Sequence, residues 1–319
     1  MQSHPPGGRA GAATCSALST GLAEPLPGTA AVAGCWLCLE QRGPWGHSAL
    51  AQSHLDPELG AELAARAERA GVRPQLIRRP GRHADSPGPR RAYLANTDPV
   101  GGWLRSADLD DPGELLDLDF ERVASGHHDG WGRPEPDPLL LVCTNGRRDR
   151  CCAVRGRALV SELEWNGDAV WETTHTGGHR FAPAAVLLPS GYTYGRVTGQ
   201  DAQAALSAAA AGKLALEGCR GRSTWSRAGQ AAELAVRRAL GEELLDSLSV
   251  EEGLVPGEGL APGEGLATGE EPVRVRHHDG RQWTVGITWR EPAVARPTSC
   301  GGGEALPQTC VAGSVFAER

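Results

Sequence analysis

Two short apolar runs near the middle of the chain are each followed by a pair of metal-binding residue types, and this pattern constrains the fold most. The run 139–143 ends in a cysteine and leads to two more cysteines about eight positions later. The run 169–174 is rich in β-branched and aromatic residues and leads to two histidines separated by Thr-Gly-Gly. Both runs are typical of buried strands. Strands that deliver thiolates and imidazoles to loops predict a metal or iron–sulfur site.

The candidate thiolate ligands are Cys143 and Cys152. Cys151 is adjacent to Cys152, so the second thiolate is open between these two, with Cys152 preferred. Both Cys151 and Cys152 are too far along the chain from Cys143 for a zinc knuckle, in which the two cysteines are about two to four residues apart. Arginines at positions 147, 148 and 150 belong to the same loop. We expect their guanidinium groups to lower the thiol pKa and to offset the negative charge of an iron–sulfur cluster.

The candidate imidazole ligands are His175 and His179. The glycines between them allow backbone angles that other residues rarely adopt, so both rings can point toward one site. Imidazole nitrogens bind zinc, iron and copper, and the two histidines alone therefore do not select the metal.

The remaining cysteines and histidines favour structural roles. Cys35 and Cys38 form a C-x-x-C sequence inside a strand-like run, so their side chains are expected on opposite faces of a sheet rather than in a redox dithiol. The four cysteines that stand singly are interpreted as structural or surface thiols: Cys15, Cys219, Cys300 and Cys310. His-His-Asp-Gly occurs at 127–130 and 277–280, where Asp-Gly is typical of a turn.

The order of elements in the second half predicts a thioredoxin-like domain. A strand, a helix and a second strand are followed by a β-hairpin and further helices. Pro183 lies just before the third strand, where such a fold has a cis-proline. The first half predicts a smaller α/β domain, with a helix over 57–70 that ends at Gly71.

The predicted organisation has five parts. They are a disordered leader (1–13), an N-terminal α/β domain (14–130), the thioredoxin-like domain with the Cys/His site (138–245), a flexible linker (253–271), and a C-terminal hairpin and tail (272–319). The linker contains Pro-Gly-Glu-Gly-Leu-Ala twice in succession, and so much Gly, Pro and Glu is typical of a segment without a core.

Composition excludes several classes of function. The formal net charge of −7 gives no basic excess for binding nucleic acid. No run approaches the roughly 18 apolar residues of a membrane span, and the N-terminal residues lack the apolar region of a secretory signal. Nine cysteines, an odd number, argue against a secreted disulfide scaffold and favour the cytoplasm.

The two ligand-bearing loops together resemble the sucrase/ferredoxin-like family. The resemblance is carried by Cys143-Thr-Asn-Gly-Arg-Arg-Asp-Arg-Cys-Cys152, by His175-Thr-Gly-Gly-His179, and by the Glu24-Pro-Leu-Pro-Gly-Thr-Ala and Trp36-Leu-Cys-Leu-Glu-Gln-Arg-Gly-Pro-Trp-Gly46 segments. It implies a thioredoxin-like ferredoxin fold and a [2Fe–2S] cluster bound by Cys143, Cys152, His175 and His179. No pair of carboxylates is arranged for glycoside chemistry, so a sucrase activity is not expected.

The function predicted from these features is electron transfer, with a redox partner protein and neither nucleic acid nor a membrane as partner. No catalytic constellation is evident, so an electron carrier is favoured over an enzyme with its own substrate. Two alternatives stay open. One is a structural Cys₂His₂ zinc protein, and the other is a thiol-dependent redox enzyme that uses Cys151 and Cys152.

Overall fold

The computed structural model describes residues 14–81, 88–163, 167, 169–253 and 266–318 of the chain. The predicted leader and most of the predicted linker lie outside the described residues. In the described part, no helix combines the length and the apolar character needed to cross a bilayer.

The protein is a mixed α/β structure, as the sequence predicted. Its helices are α1 (Cys15–Gly21), α2 (Pro57–Ala70), α3 (Phe120–Ala124), α4 (Arg157–Leu163), α5 (Gly199–Ala210) and α6 (Arg227–Leu240). Its strands in the first half are β1 (Cys35–Glu40), β2 (Val72–Arg78), β3 (Arg90–Asn96), β4 (Trp103–Leu109) and β5 (Arg133–Pro134). Those in the second half are β6 (Leu139–Cys143), β7 (Val170–Thr173), β8 (Ala184–Leu188), β9 (Tyr192–Gly195) and β10 (Cys219–Arg222). The C-terminal strands are β11 (Leu248–Glu251), β12 (Glu271–His277), β13 (Gln282–Arg290), β14 (Arg296–Pro297), β15 (Glu304–Ala305) and β16 (Thr309–Ala317).

One sheet of ten strands runs through both halves, in the order β10-β9-β8-β6-β7-β2-β1-β3-β4-β5. Within it, β7-β6-β8-β9 has the parallel β6–β7 pair and the antiparallel neighbours of a thioredoxin-like domain. The Ala182–Pro183 bond is cis, as that fold predicts for Pro183. The first half repeats the arrangement, because β2-β1-β3-β4 has the same order and the same strand directions. We call β1–β4 the N-terminal unit and β6–β9 the C-terminal unit.

The two units meet edge to edge where β2 pairs antiparallel with β7. The strand register pairs Ile77 with Thr173 and Arg78 with Glu172, and just beyond it the Thr174 N–H donates to the Leu76 carbonyl at 3.0 Å. A buried ion pair adds to it, since Arg78 Nη2 lies 2.6 Å from Glu172 Oε2. Each unit also has its own apolar cluster on one face of the sheet, and a third cluster contains side chains of both units, including Tyr93 and Trp171. The sheet is therefore continuous across residues 131–137, which separate the two predicted domains.

After residue 245, four of the described strands form a second, antiparallel sheet in the order β11-β12-β13-β16, and β14 pairs with β15 apart from it. The Asp279-Gly280 hairpin between β12 and β13 is confirmed, whereas β16 was not predicted. This sheet packs on α6 through Ala231, Ala232 and Val236. The opposite side of α6 presents Leu234 to the apolar cluster of the C-terminal unit, so the helix lies between the two sheets.

The ends of the helices follow from local sequence signals. Asp56 accepts hydrogen bonds from the backbone N–H groups of Glu58 and Leu59 at the start of α2. Gly71 ends the helix with φ of 76°, as predicted. The sequence predicts Asp201 as the N-cap of the Ala-rich helix α5, and this position is wrong by three residues. Thr198 is the N-cap and Asp201 completes a capping box with it; because the box needs both residues, the acidic one is easily mistaken for the cap.

A fully buried ion pair in α6 predicts a large loss of stability on substitution. Arg237 Nε lies 3.1 Å from Glu233 Oε1, and neither side chain is exposed. Replacing Arg237 with methionine leaves the Glu233 carboxylate uncompensated, and we expect the free energy of unfolding to fall by about 3–5 kcal/mol. Chemical denaturation measures it, with Arg238→Met as the control, since Arg238 is exposed on the same helix. Equal stability of the two variants would contradict the prediction.

Candidate metal centre

The two predicted ligand loops leave neighbouring parallel strands at the same edge of the sheet. Cys143 is the last residue of β6 and pairs in register with Thr173, the last residue of β7. Because parallel strands end at one edge, the loop after each strand begins beside the other. The chain continues from β7 to His175, and from β6 through a loop to Cys152, the first residue of a π-helical turn (Cys152–Gly156) that leads into α4. This register brings the cysteine loop and the histidine loop together.

The four predicted ligands lie close together. The ligand atoms of Cys143, Cys152 and His175 are all within 4.8 Å of one another. Cys152 Sγ lies 3.7 Å from His179 Nδ1, and the two imidazole rings stack with centroids 3.8 Å apart and planes 14° apart. We call these four residues the Cys/His group. It provides two sulfur and two nitrogen donors from three short segments.

Cys151 points to a different set of neighbours from Cys152. Its sulfur lies 3.5 Å from Cys15 Sγ and 3.2 Å from Cys300 Sγ. Of the two adjacent cysteines, Cys152 therefore contacts the other residues of the Cys/His group, and Cys151 contacts a different set of thiols.

The protonation of the group reflects its close packing. The hydrogen bond from Cys152 lowers the pKa of Cys143 well below that of a free thiol, against the effect of burial. The same hydrogen bond, together with burial, raises the pKa of Cys152. Burial and the neighbouring His175 lower the pKa of His179 to about 4. Cys143 is thus the thiolate and Cys152 the thiol of this pair, so Cys152 has to release its proton before its sulfur binds a metal, whereas the neutral His179 is in the state in which imidazole nitrogen binds metals.

Exposure differs between the two halves of the group. Both cysteines are buried, at 1% exposure each, while His175 and His179 are half-buried. The backbone N–H of Thr176 donates to the Cys143 sulfur. The histidine side is thus the one that reaches toward the surface.

A buried arginine fixes the histidine loop. Arg220, fully buried on β10, donates to the Gly177 carbonyl at 3.0 Å and to the carbonyl of Thr29. Burial lowers its pKa to about 9. Gly178 has φ of 78°, and a Cβ there would lie 2.3 Å from Arg220 Nη2, so the loop needs glycine at this position.

The positive charges near the thiols come from residues that the sequence did not indicate. The loop arginines at 147, 148 and 150 are exposed, and Arg148 Nη1 contacts His47 at 2.8 Å. Arg73, by contrast, is close enough to Cys143 for the thiolate to raise its pKa, although burial lowers it more. Arg73 also lies 3.4 Å from the His175 carbonyl, to which it donates. Of the loop arginines, Arg148 acts on the site through its charge, which helps to lower the pKa of His179, and Arg73 on β2 and Arg220 on β10 are two further positive charges that the sequence did not indicate.

The residues beside the group fit an iron–sulfur cluster. Two buried donors there, Arg73 Nε and Thr176 Oγ1, have no hydrogen-bond partner among the described residues. Hydrogen bonds to the sulfurs are part of the usual environment of such clusters. Two thiols and two imidazoles are a donor set for a metal ion or an iron–sulfur cofactor, and the two unpartnered donors are placed beside it.

The other cysteines divide into two kinds. Cys35 and Cys38 lie in apolar clusters on opposite faces of the sheet, which confirms their structural role. Cys219 and Cys310 are likewise buried among apolar side chains. The expectation of isolated thiols was wrong for Cys15 and Cys300. These two approach Cys151, because tertiary structure joins segments more than 130 positions apart, which no local spacing reveals.

The fold and the Cys/His group define a mixed α/β protein with a potential metal-binding site. The chain belongs to the sucrase/ferredoxin-like family, whose model matches residues 26–221. The match covers both units of the ten-stranded sheet and all four residues of the Cys/His group. No curated protein and no solved structure matches the chain significantly.

Proposed function

We propose that this protein is a one-electron carrier with a [2Fe–2S] cluster bound by Cys143, Cys152, His175 and His179. The observation that carries the proposal is the convergence of these four side chains at one edge of the C-terminal unit. Family membership supports a ferredoxin-like role. When bound, such a cluster supplies one-electron oxidation and reduction.

The residues of the chain account for the environment of the site. The buried thiols of Cys143 and Cys152 face away from water, and the Arg73 and Arg220 guanidinium groups offset negative charge there. Neutral imidazole ligands in place of two thiolates make a site less negative and therefore easier to reduce, as in Rieske centres. The half-buried histidines offer the shorter path to the surface, and we propose that a redox partner protein docks at that side.

The proposed function has no substrate chemistry of its own, and nucleic acids and membranes are not among its partners. The nine cysteines are all in the described ranges and all free. Unpaired thiols in this number are typical of a reducing compartment, and we propose the cytoplasm as the place of action.

A redox titration of the protein purified without oxygen tests the proposal. A reversible one-electron change, seen as the loss of visible absorption on reduction, is the expected result. A structural zinc protein would have no visible absorption and no such couple. A thiol-dependent enzyme would show a two-electron couple that alkylation of Cys151 abolishes, and either of these results would replace the electron-carrier proposal.

A further inference from the structure

Three thiols from distant parts of the chain converge beside the Cys/His group. Cys15 begins α1, Cys151 follows β6, and Cys300 lies between β14 and β15. Their sulfurs form a triangle with sides of 3.5 Å (Cys15–Cys151), 3.2 Å (Cys151–Cys300) and 3.6 Å (Cys15–Cys300). We call these cysteines, together with Asp149, the three-thiol group. None of its members belongs to the site proposed above.

A carboxylate completes the group. Asp149 Oδ2 and Oδ1 lie 3.8 Å and 3.9 Å from Cys15 Sγ, and the ligand atoms of all four residues are within 4.8 Å of one another. The backbone N–H groups of Cys151 and Cys300 each donate to the Asp149 carboxylate at 2.8 Å. These two hydrogen bonds fix the orientation of the carboxylate toward the sulfurs.

The spacing of the donors matches a tetrahedral zinc site. With Zn–S bonds of about 2.3 Å, the edge between two sulfur ligands of a tetrahedron is about 3.8 Å. With a Zn–O bond of about 2.1 Å, the edge between sulfur and oxygen is about 3.6 Å. The three sulfur–sulfur distances are about 0.2–0.6 Å shorter than the tetrahedral edge, and the distances from the two Asp149 oxygens to Cys15 Sγ are about 0.2–0.3 Å longer. Small movements of side chains would therefore bring all four donors to one ion.

The surroundings also suit a bound cation. Ser16 Oγ donates to Cys151 Sγ at 3.1 Å, a contact from outside the donor set of the kind that orients metal ligands. Cys15, Cys151 and Asp149 are buried, at 1%, 2% and 4% exposure, whereas Cys300 is exposed. Cys300 leaves a path by which an ion can enter.

We infer that Cys15, Asp149, Cys151 and Cys300 form a second metal site that binds Zn²⁺. Thiolates with one carboxylate in tetrahedral geometry favour zinc over the harder cations Mg²⁺ and Ca²⁺. On binding, the three thiols release their protons to solvent and each forms a bond from sulfur to zinc, with no change of oxidation state. The site ties α1 and the C-terminal segment to the loop that carries Cys152, and so fixes the position of that cysteine.

Metal analysis of two reciprocal variants tests this inference on the full-length protein. Wild-type protein, purified without oxygen and supplied with one equivalent of Zn²⁺, is expected to retain about one zinc per chain against a competing chelator. Loss of a residue that only orients a metal ligand weakens metal binding by about 10–100-fold, so Cys300→Ser, which removes a ligand, should weaken zinc binding more than about a hundredfold. The iron content of Cys300→Ser should equal that of the wild type. Cys143→Ser should show the reverse, with zinc retained and iron lost.

Cys310→Ala is the matched control, because Cys310 is in the same C-terminal region but lies in an apolar cluster. It should bind zinc as the wild type does. Equal zinc affinity of Cys300→Ser and wild type would overturn the inference, as would a wild-type protein that loses all zinc to the chelator. A Cys151–Cys300 disulfide in protein purified without oxygen would also overturn it and indicate a redox thiol pair. Because iron is measured separately, failure of the zinc site leaves the electron-carrier proposal to its own test.

Discussion

Substitution of Cys143 by serine is expected to remove essentially all bound iron and the visible absorption with it. Cys143 is the last residue of β6, fully enclosed, with the Thr176 N–H and the Cys152 thiol donating to its sulfur. A serine hydroxyl is a poor substitute for a soft thiolate ligand of iron. Iron and acid-labile sulfide analysis, with the visible spectrum, measures the effect.

The matched control for this experiment is Cys219→Ser. Cys219 is also fully buried in the second half of the chain, but its neighbours are apolar side chains of the C-terminal unit. The control is expected to keep its iron, while both variants keep the circular dichroism of the folded protein. A Cys143→Ser protein with the visible spectrum of wild type would refute the proposed ligand set.

Replacement of both His175 and His179 by cysteine is expected to keep a cluster and lower its reduction potential. Two thiolates add negative charge where neutral imidazoles stood, so the oxidised form becomes favoured. Rieske centres, with two histidine ligands, lie between about −150 and +300 mV, and all-cysteine plant-type ferredoxins near −400 mV. The double variant should therefore fall by about 250 mV or more, with each single variant between it and the wild type.

A potentiometric titration followed by EPR measures these potentials. His127→Cys is the control, because His127 is an exposed residue outside the Cys/His group, and its potential should equal that of wild type. An unchanged or higher potential in the double variant would contradict histidine ligation.

The parts of the structure that the sequence predicted are those encoded locally. The two apolar runs before Cys143 and His175 have the composition of strands, and a βαβ connection places the ends of two parallel strands side by side. That rule alone brings the cysteine loop to the histidine loop. The bounds of α2 and the hairpin at Asp279-Gly280 were predictable for the same reason, since Asp56, Gly71 and the Asp-Gly turn act on their nearest neighbours.

The parts that sequence reasoning missed depend on contacts between distant segments. Arg220 follows the histidine loop by some 40 residues and reaches it only because β10 pairs beside β9. Cys15 and Cys300 meet Cys151 through the docking of α1 and of the β14–β15 segment. The one local signal was the pair of adjacent cysteines. Cys152 is part of the Cys/His group, whereas its neighbour Cys151 contacts other thiols.

The repeated strand arrangement also bears on the location of the site. The two units share strand order and directions, yet β1 ends in Glu40 where β6 ends in Cys143. The fold alone therefore does not create the Cys/His group, which depends on the residues at the strand ends of the C-terminal unit. The N-terminal unit supports that site through Arg73 on β2 and through the Arg78–Glu172 ion pair.

Glu172 links the junction of the two units to the cysteine loop. Its carboxylate accepts hydrogen bonds from Arg78 Nη2 on β2 at 2.6 Å and from the Thr144 hydroxyl at 2.5 Å. Thr144 is the residue directly after Cys143. The contact between the units therefore also holds the start of the ligand loop in place.

The most direct test of the account is the iron, sulfide and zinc content of protein purified without oxygen, together with the EPR spectrum of its reduced form. The account predicts about two irons and two sulfides per chain and a signal shifted from the all-cysteine type toward that of Rieske centres. It also predicts about one zinc, which Cys300→Ser loses without loss of iron. Colourless protein that contains no iron would contradict the central claim, and bound zinc that Cys143→Ser loses would make the Cys/His group a structural zinc site.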